Sequence, residues 1–191
     1  MLRRSRIVDW LVTIALAVAV VLVFEAEIAK PYRIPSSSME PTLHCAKPGE
    51  WCEGSFNDRV LVDRLIYRFE SPKRGQIVVF TPPPSAAAHG CTGSTFVKRL
   101  IGLPGDVITE RNGNISIDGK RLEEPYVAPA LRGDGSGTWH VPNGHYFFMG
   151  DDRVHSCDSR VWGSVPRKDL IGPVLLTYWP PDRISYHASG F

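Results

Sequence analysis

The sequence has little net charge, since 22 lysines and arginines balance 20 aspartates and glutamates to leave +2 over 191 residues. It therefore lacks the basic face that nucleic-acid binding requires, and we expect no nucleic-acid partner. It also lacks internal repeats, and after Pro31 it has no amphipathic helical pattern of three turns. Glycine and proline are abundant instead, with 17 and 16 residues, which favours turns and short strands.

Only one long hydrophobic run occurs, at residues 7–24, and only Asp9 and Thr13 interrupt it. A helix of this length rises about 27 Å, close to the thickness of a bilayer core. Arginines precede the run and acids follow it, at positions Arg3, Arg4, Arg6, Glu25 and Glu27. This charge asymmetry predicts a cytoplasmic N-terminus and an exported C-terminal part.

The resulting division is a cytoplasmic segment at 1–6, a single-pass transmembrane anchor at 7–24 and an extracytoplasmic domain at 25–191. The alternative is a cleaved secretory signal peptide, which begins with the same kind of charge. The apolar run is longer than such peptides use, however, and no A-x-A site follows it. We therefore expect the protein in the plasma or inner membrane, with the lipid bilayer as a partner.

Cysteine is scarce, but its number is even and the predicted compartment is oxidising, so we expect disulfides. The four residues allow three pairings, of which Cys45–Cys52 is favoured because it closes a short loop. A zinc site would instead recruit Cys45, Cys157, His44 and His155. No C-x-x-C or H-x-x-x-H spacing supports such a site, and we expect neither a metal nor a cofactor.

Beyond the anchor, short apolar runs separated by turn residues predict a mostly β, antiparallel domain. The predicted strands are Val60–Val62, Gln76–Phe80, Thr95–Ile101, Val107–Thr109, Ile115–Ile117, His145–Met149 and Leu170–Tyr178. Asn112-Gly113 and Asp118-Gly119 predict hairpin turns, and Pro104-Gly105 predicts a type II turn. The segments at 82–94 and 128–138 are interpreted as loops.

Three segments contain residues suited to catalysis, and the first is the run of serines at 36–38 between Pro35 and Pro41. Prolines restrict the backbone here, and a serine hydroxyl becomes a nucleophile only when a neighbouring base accepts its proton. Taken alone, the segment is more typical of a solvated linker.

The second segment is the strand that contains Lys98, whose side chain shares a face with Phe96 and Leu100. Apolar neighbours lower the pKa of an ammonium group, which would give a neutral amine near working pH. The alternative is a lysine whose stem covers apolar surface while its amine remains in water.

The third segment, at 150–160, contains three acids and two arginines directly after an apolar strand. This density indicates an internal network of ion pairs and hydrogen bonds that shapes a loop. The alternative is a solvated surface turn, whose ion pairs would contribute little to stability.

Together these segments resemble the type I signal peptidases, which are membrane-anchored Ser/Lys proteases. The matching blocks follow the family order after the anchor: IPSSSMEPTL at 34–43, DRVLVDRL at 58–65, RGQIVVF at 74–80, FVKRLIGLPGD at 96–106 and GDDRVHSCDSRVWGSVP at 150–166. The resemblance implies an antiparallel, barrel-like β-sheet catalytic domain behind one transmembrane helix. Asp152 and the Val154-His155 pair depart from the family pattern.

By this resemblance Ser38 is the nucleophile and Lys98 the general base. The Ser38 amide and the Ser36 hydroxyl would form the oxyanion hole. Ser156 would orient the Lys98 amine, and Asp158 and Arg160 would support the site. The residues that would line the substrate pockets are Ile34, Met39, Leu43, Phe96 and Val97.

The implied function is removal of N-terminal signal peptides from exported preproteins after A-x-A, through an acyl-enzyme. The partners that this function implies are the signal peptides of preproteins and, in addition, the secretion translocon. Alternatives are a peptidase dedicated to a narrow pilin or conjugation substrate, or a catalytically silent envelope scaffold. A Ser-His-Asp hydrolase is not expected, because the sequence lacks a G-x-S-x-G elbow and its histidines have no recognisable setting.

Overall fold

The computed structural model of the chain describes residues 2–23 and 28–187. Glu25 and Glu27, on which the predicted charge asymmetry partly depends, lie outside this range. Within it, a long helix precedes a domain of short strands. The helices are α1 Leu2–Val23, α2 Pro84–Ala88 and α3 Ser159–Trp162. The strands are β1 Ala29–Arg33, β2 Arg59–Asp63, β3 Ile77–Phe80, β4 Phe96–Gly102, β5 Val107–Arg111, β6 Asn114–Ile117, β7 Lys120–Arg121, β8 Gly137–His140, β9 His145–Met149, β10 Val165–Pro166, β11 Leu170–Trp179 and β12 Ser185–Tyr186.

Helix α1 covers the hydrophobic run as far as Val23, and its described apolar side chains are exposed, with Trp10 at 70%. Among the residues that the structure describes, no helix has both the length and the apolarity needed to cross a bilayer. The predicted helix is therefore confirmed, whereas the predicted transmembrane span is not.

The described strands form two antiparallel sheets, which confirms the predicted fold class. The larger sheet has the order β1-β2-β11-β3-β4-β9-β10, and β12 also pairs with β11. The smaller sheet has the order β7-β6-β5-β8. Within the described residues β1 and β10 are the ends of the larger sheet, so this sheet remains open.

The predicted turns are confirmed by backbone geometry. Asn112 and Gly113 both have positive φ, at 48° and 70°, as do Asp118 and Gly119, at 51° and 79°. These angles suit two-residue hairpin turns, and the turns join β5 to β6 and β6 to β7. Gly105 has a φ of 93°, as the third residue of a type II turn requires.

Two loop predictions need correction, because local composition does not report tertiary pairing. The short helix α2 lies within the predicted loop at 82–94, and it begins at Pro84, a residue suited to a first helical turn. Strand β8 begins at Gly137, within the predicted loop at 128–138, because this segment pairs with β5.

Strand β4 lies inside the larger sheet, between β3 and β9. Lys98 is paired with Val78 of β3, so its backbone is fixed by the sheet. Apolar clusters surround this region, and one of them contains Ile34, Met39 and Leu43 beside the neighbouring strands. The fold thus places the serine segment and the lysine strand against a common core.

Candidate active site

The serine segment forms a tight turn. Ser37, Ser38 and Met39 form a buried turn of 3-10 helix. The Ser36 and Ser38 hydroxyl oxygens lie 3.5 Å apart, and the amide of Asp152 donates a hydrogen bond of 3.2 Å to the Ser38 carbonyl. The segment predicted to supply the nucleophile is therefore hydrogen-bonded to the acidic loop at 150–160, unlike a solvated linker.

Lys98 is buried, with 5% of its surface exposed. Burial lowers the pKa of its amine from 10.5 to about 8, although the carboxylates of Asp158 and Asp151 act in the opposite direction. Its amine lies 6.0 Å from the centre of the Phe96 ring. The amine is therefore poised to exist in both protonation states near neutral pH, as a general base requires.

Ser36, Ser38 and Lys98 line one cavity of about 300 Å³. Four of the predicted pocket residues line it as well, namely Ile34, Met39, Phe96 and Val97. Leu43 does not line it, because its side chain is fully buried in the core beside Ile34 and Met39. Between Ser38 and Lys98 the described structure contains no direct hydrogen bond.

Ser156 approaches the serine turn at Gly150. A Cβ atom on Gly150 would collide with the Ser38 carbonyl oxygen and with the Ser156 side chain. Only glycine therefore permits this close approach. The Ser156 hydroxyl is buried and has no hydrogen-bond partner among the described residues, so the predicted bond to Lys98 is not formed in this structure.

Asp158 is the centre of a hydrogen-bond network that also involves Arg160. The Asp158 carboxylate accepts bonds from the Gly150 amide at 3.1 Å and from the Arg160 guanidinium at 2.9 Å. Arg160 also bonds the Arg153 carbonyl at 2.7 Å and pairs with Glu110 at 3.3 Å. The two residues therefore connect the active-site loop to β5.

Two further buried ion pairs hold this loop. The Arg99 guanidinium binds the Asp151 carboxylate at 2.8 and 2.5 Å, and Asp151 also accepts a bond of 2.6 Å from the Thr42 hydroxyl. Arg153 forms a two-bond contact with Glu124. The predicted internal network at 150–160 is thus confirmed, and the alternative of a solvated surface turn is not.

His155 is a residue that the sequence analysis missed. Its imidazole lines the cavity, contacts the Asp152 carboxylate at 2.9 Å and stacks on the Trp51 indole, with ring centres 4.0 Å apart. The sequence shows no recognisable setting for the histidines, and the structure adds the position of His155 in the cavity wall. The Asp-x-x-His spacing was visible in the sequence, but Trp51 lies in a distant segment.

The loop before β4 also contributes residues that were not predicted. Thr92, Gly93 and Thr95 line the cavity, as do Tyr32 and Arg33 at the end of β1. The signal in the sequence that could have identified them was Cys91. A disulfide from Cys91 to the segment at 150–160 would bring the loop before β4 to the site.

The disulfides are Cys45–Cys52 and Cys91–Cys157. The favoured short-loop pairing is therefore correct, and the zinc alternative is wrong because its two thiols are oxidised. Among the described residues, one group of side chains could hold a metal ion, namely Glu40, His44 and Glu53. Glu40 is already satisfied by the amides of Cys45 and Glu53 and by the His44 ring.

Comparisons with known proteins identify a family and several relatives. The family described as "Signal peptidase, peptidase S26" matches residues 7–179. The chain is 38% identical over 174 residues to "Probable signal peptidase I-2" of Synechocystis sp., covering 90% of this chain and 73% of that protein. It is 34% identical over 181 residues to "Signal peptidase I" of Leptolyngbya laminosa, covering 94% and 83% respectively.

A crystal structure of a signal peptidase I from Enterococcus faecalis is also similar. It shares 33% sequence identity, and the match covers 55% of this chain and 97% of that chain with a TM-score of 0.45.

Proposed function

Because the chain belongs to the signal peptidase family, peptidase S26, we propose that it is a serine endopeptidase that removes signal peptides from exported preproteins. Ser38 is the nucleophile and Lys98 the general base. The observation that carries this assignment is that a buried lysine of lowered pKa shares one cavity with a serine in a fixed turn. The similarity to signal peptidases over most of the chain does not favour a narrow pilin peptidase or a silent scaffold.

In the proposed reaction, the neutral Lys98 amine accepts the Ser38 proton while the Ser38 oxygen attacks the scissile carbonyl. The protonated amine then donates its proton to the leaving nitrogen, so that the C–N bond breaks and an acyl-enzyme remains. Lys98 next accepts a proton from water, whose oxygen attacks the acyl carbon. The bond from that carbon to the Ser38 oxygen then breaks as the Lys98 ammonium returns the proton to this oxygen, so the signal peptide leaves with a new carboxyl group and Ser38 is restored. The proton balance closes within the pair, and the step requires no cofactor.

The oxyanion hole is assigned to the Ser38 amide and the Ser36 hydroxyl. Its support is the position of the Ser36 hydroxyl oxygen, 3.5 Å from that of Ser38, which places a donor near the attacking atom. Donors fixed in this way stabilise charge that develops only in the transition state. We therefore assign to Ser36 a role in kcat.

Ser156 is assigned to orient the Lys98 amine. A buried hydroxyl without a partner is costly, and the Lys98 amine is assigned as the partner that this hydroxyl takes during the reaction. Asp158 and Arg160 support this loop through the network that includes the Gly150 amide.

Specificity for small residues is assigned to the apolar cavity wall formed by Ile34, Met39, Phe96 and Val97. We assign to these side chains the exclusion of groups larger than alanine, which would account for cleavage after A-x-A. Strand β1 is an end strand of the larger sheet and leads into this wall, so an extended substrate can add to its free edge.

We assign α1 to membrane anchoring, with the catalytic domain on the extracytoplasmic side and the translocon as a neighbour. The support is its continuous exposed apolar surface, which includes Trp10, Leu11, Leu16 and Leu22. Alkaline carbonate extraction of membranes tests this assignment. The chain is expected to stay in the pellet, and its release into the supernatant would contradict the anchor.

The test of the peptidase assignment is digestion of a synthetic preprotein by the purified full chain in detergent, with the product mapped by mass spectrometry. The expected product begins directly after an A-x-A sequence. Ser38→Ala and Lys98→Met should each remain folded and leave the preprotein uncut. Ser55→Ala and Lys73→Met, at exposed positions, are matched controls that should cleave normally. Cleavage by either active-site variant would contradict the assignment.

A further inference from the structure

His155 and its neighbours form a second polar feature in the cavity that contains Ser38 and Lys98. The imidazole is held on two sides. The Asp152 carboxylate contacts its Nδ1 atom at 3.1 and 2.9 Å, and the Trp51 indole stacks on its face at an interplanar angle of 15°. A ring fixed both at its edge and on its face has a single orientation.

The contact with Asp152 also selects the tautomer of the imidazole. An ionised carboxylate only accepts hydrogen bonds, so the proton of the neutral ring lies on Nδ1. Within the described residues the Nε2 atom has no hydrogen-bond partner. In the neutral ring the Nε2 lone pair is an unused acceptor, on a residue that lines the cavity and whose side chain is 24% exposed.

The position of this acceptor is coupled to the nucleophile. Asp152 holds the imidazole through its carboxylate and holds the Ser38 carbonyl through its amide, at 3.2 Å. Trp51, in turn, belongs to the loop that the Cys45–Cys52 disulfide closes. His155 is thus fixed relative to Ser38 from both sides.

Lys98 already supplies a buried amine as the proposed general base in the same cavity, so the reaction does not require His155 in that role. The backbone amides of an extended peptide need acceptors, and of the side chains that line the cavity the Ser36 and Ser38 hydroxyls are used by the proposed reaction. The free Nε2 atom fits that need.

We propose that His155 is a substrate-binding residue whose Nε2 atom accepts a hydrogen bond from a backbone N–H of the bound preprotein. Asp152 fixes the tautomer and Trp51 fixes the ring. This proposal rests on the peptidase function and names a further specificity-determining contact of that site. Because the contact is to the main chain, it orients substrates of different sequence in the same way.

Two substitutions at His155 separate this role from a structural one. The amide oxygen of glutamine is as many bonds from the backbone as Nε2, whereas that of asparagine corresponds to Nδ1. His155→Asn therefore removes the proposed acceptor, and His155→Gln replaces it. His140→Asn is the control, because His140 is exposed on β8 in the smaller sheet.

The measurement is equilibrium binding of a fluorescent signal peptide containing A-x-A to the full chain in the Ser38→Ala background. His155→Asn is expected to weaken binding about fivefold to tenfold, the range for one net hydrogen bond, and His155→Gln to recover most of it. With Ser38 restored, His155→Asn should raise KM by a similar factor while kcat falls less. Trp51→Phe should bind normally and Trp51→Ala more weakly, which tests the same contact without changing His155.

Unchanged peptide affinity in His155→Asn and in Trp51→Ala overturns the proposal. A loss confined to kcat overturns it as well, because it assigns His155 to support of Ser38. Failure of the unmodified chain to cleave the preprotein rejects the peptidase function instead, and the binding measurement does not depend on that result.

Discussion

Replacement of Lys98 by methionine is expected to stabilise the fold. At pH 7 the lysine is protonated in the folded and unfolded states, so the folded state carries the full cost of burying its charge. The difference between 10.5 and the lowered pKa of about 8 corresponds to about 3 kcal/mol, because one pKa unit equals about 1.4 kcal/mol. Methionine is apolar and flexible enough to occupy the same space without this cost.

The stabilisation should depend on pH in a defined direction. Between the folded pKa of about 8 and the unfolded pKa of about 10.4, the unfolded chain binds more protons than the folded chain at this site. Wild-type stability therefore rises with pH across this window. The advantage of Lys98→Met should fall from about 3 kcal/mol at pH 7 to below about 1 kcal/mol at pH 10.

Urea denaturation of the full chain in detergent, followed by tryptophan fluorescence at both pH values, measures this difference. Lys73→Met is the matched control, because the Lys73 side chain is 66% exposed and its substitution should have no pH-dependent effect relative to wild type. A Lys98→Met protein that is less stable than wild type at pH 7, or whose advantage is the same at pH 10, would refute the reasoning.

Three further outcomes are expected. Cleavage by wild type should rise with pH through about 8 as Lys98 loses its proton, with kcat/KM about tenfold lower per pH unit below pH 7; a flat profile would exclude an amine base. Replacing Cys91 and Cys157 together by serine should lower the free energy of unfolding by about 4 kcal/mol, because the disulfide spans 66 residues; an unchanged urea midpoint would contradict this. Gly150→Ala should reduce kcat at least tenfold, because the added methyl group displaces the Ser38 turn. An unchanged kcat would contradict this, because it would mean that the loop accommodates the methyl group without moving Ser38.

Most of the sheet was predictable because its strands carry their own signals. The run His145–Met149 is continuously apolar between turn residues, and the structure gives β9 the same bounds. Strand β1, Ala29–Arg33, was not predicted, because it contains two basic residues and a proline. It exists through pairing with β2, and proline is tolerated there because the strand lies at a sheet edge.

The site was predictable where chemistry is local and unpredictable where it depends on distant partners. The burial of Lys98 follows from its apolar neighbours along the strand. His155, by contrast, acquires its setting from Trp51, and no local pattern joins these two positions. Leu43 was assigned to the substrate wall, but the core beneath the serine turn takes its side chain.

Within the described residues β1 has one unpaired edge, and the proposed pairing of the substrate with it has a consequence for the range of precursors. An edge strand offers amides and carbonyls, which every polypeptide can match regardless of its side chains. Affinity that comes from main-chain pairing does not distinguish one exported chain from another. In the proposed function the two alanine-sized residues are therefore the main requirement on the sequence of the substrate. In a folded mature domain the backbone amides and carbonyls are already hydrogen-bonded to each other and cannot pair with β1. We therefore expect cleavage only in the unstructured segment that precedes the mature protein.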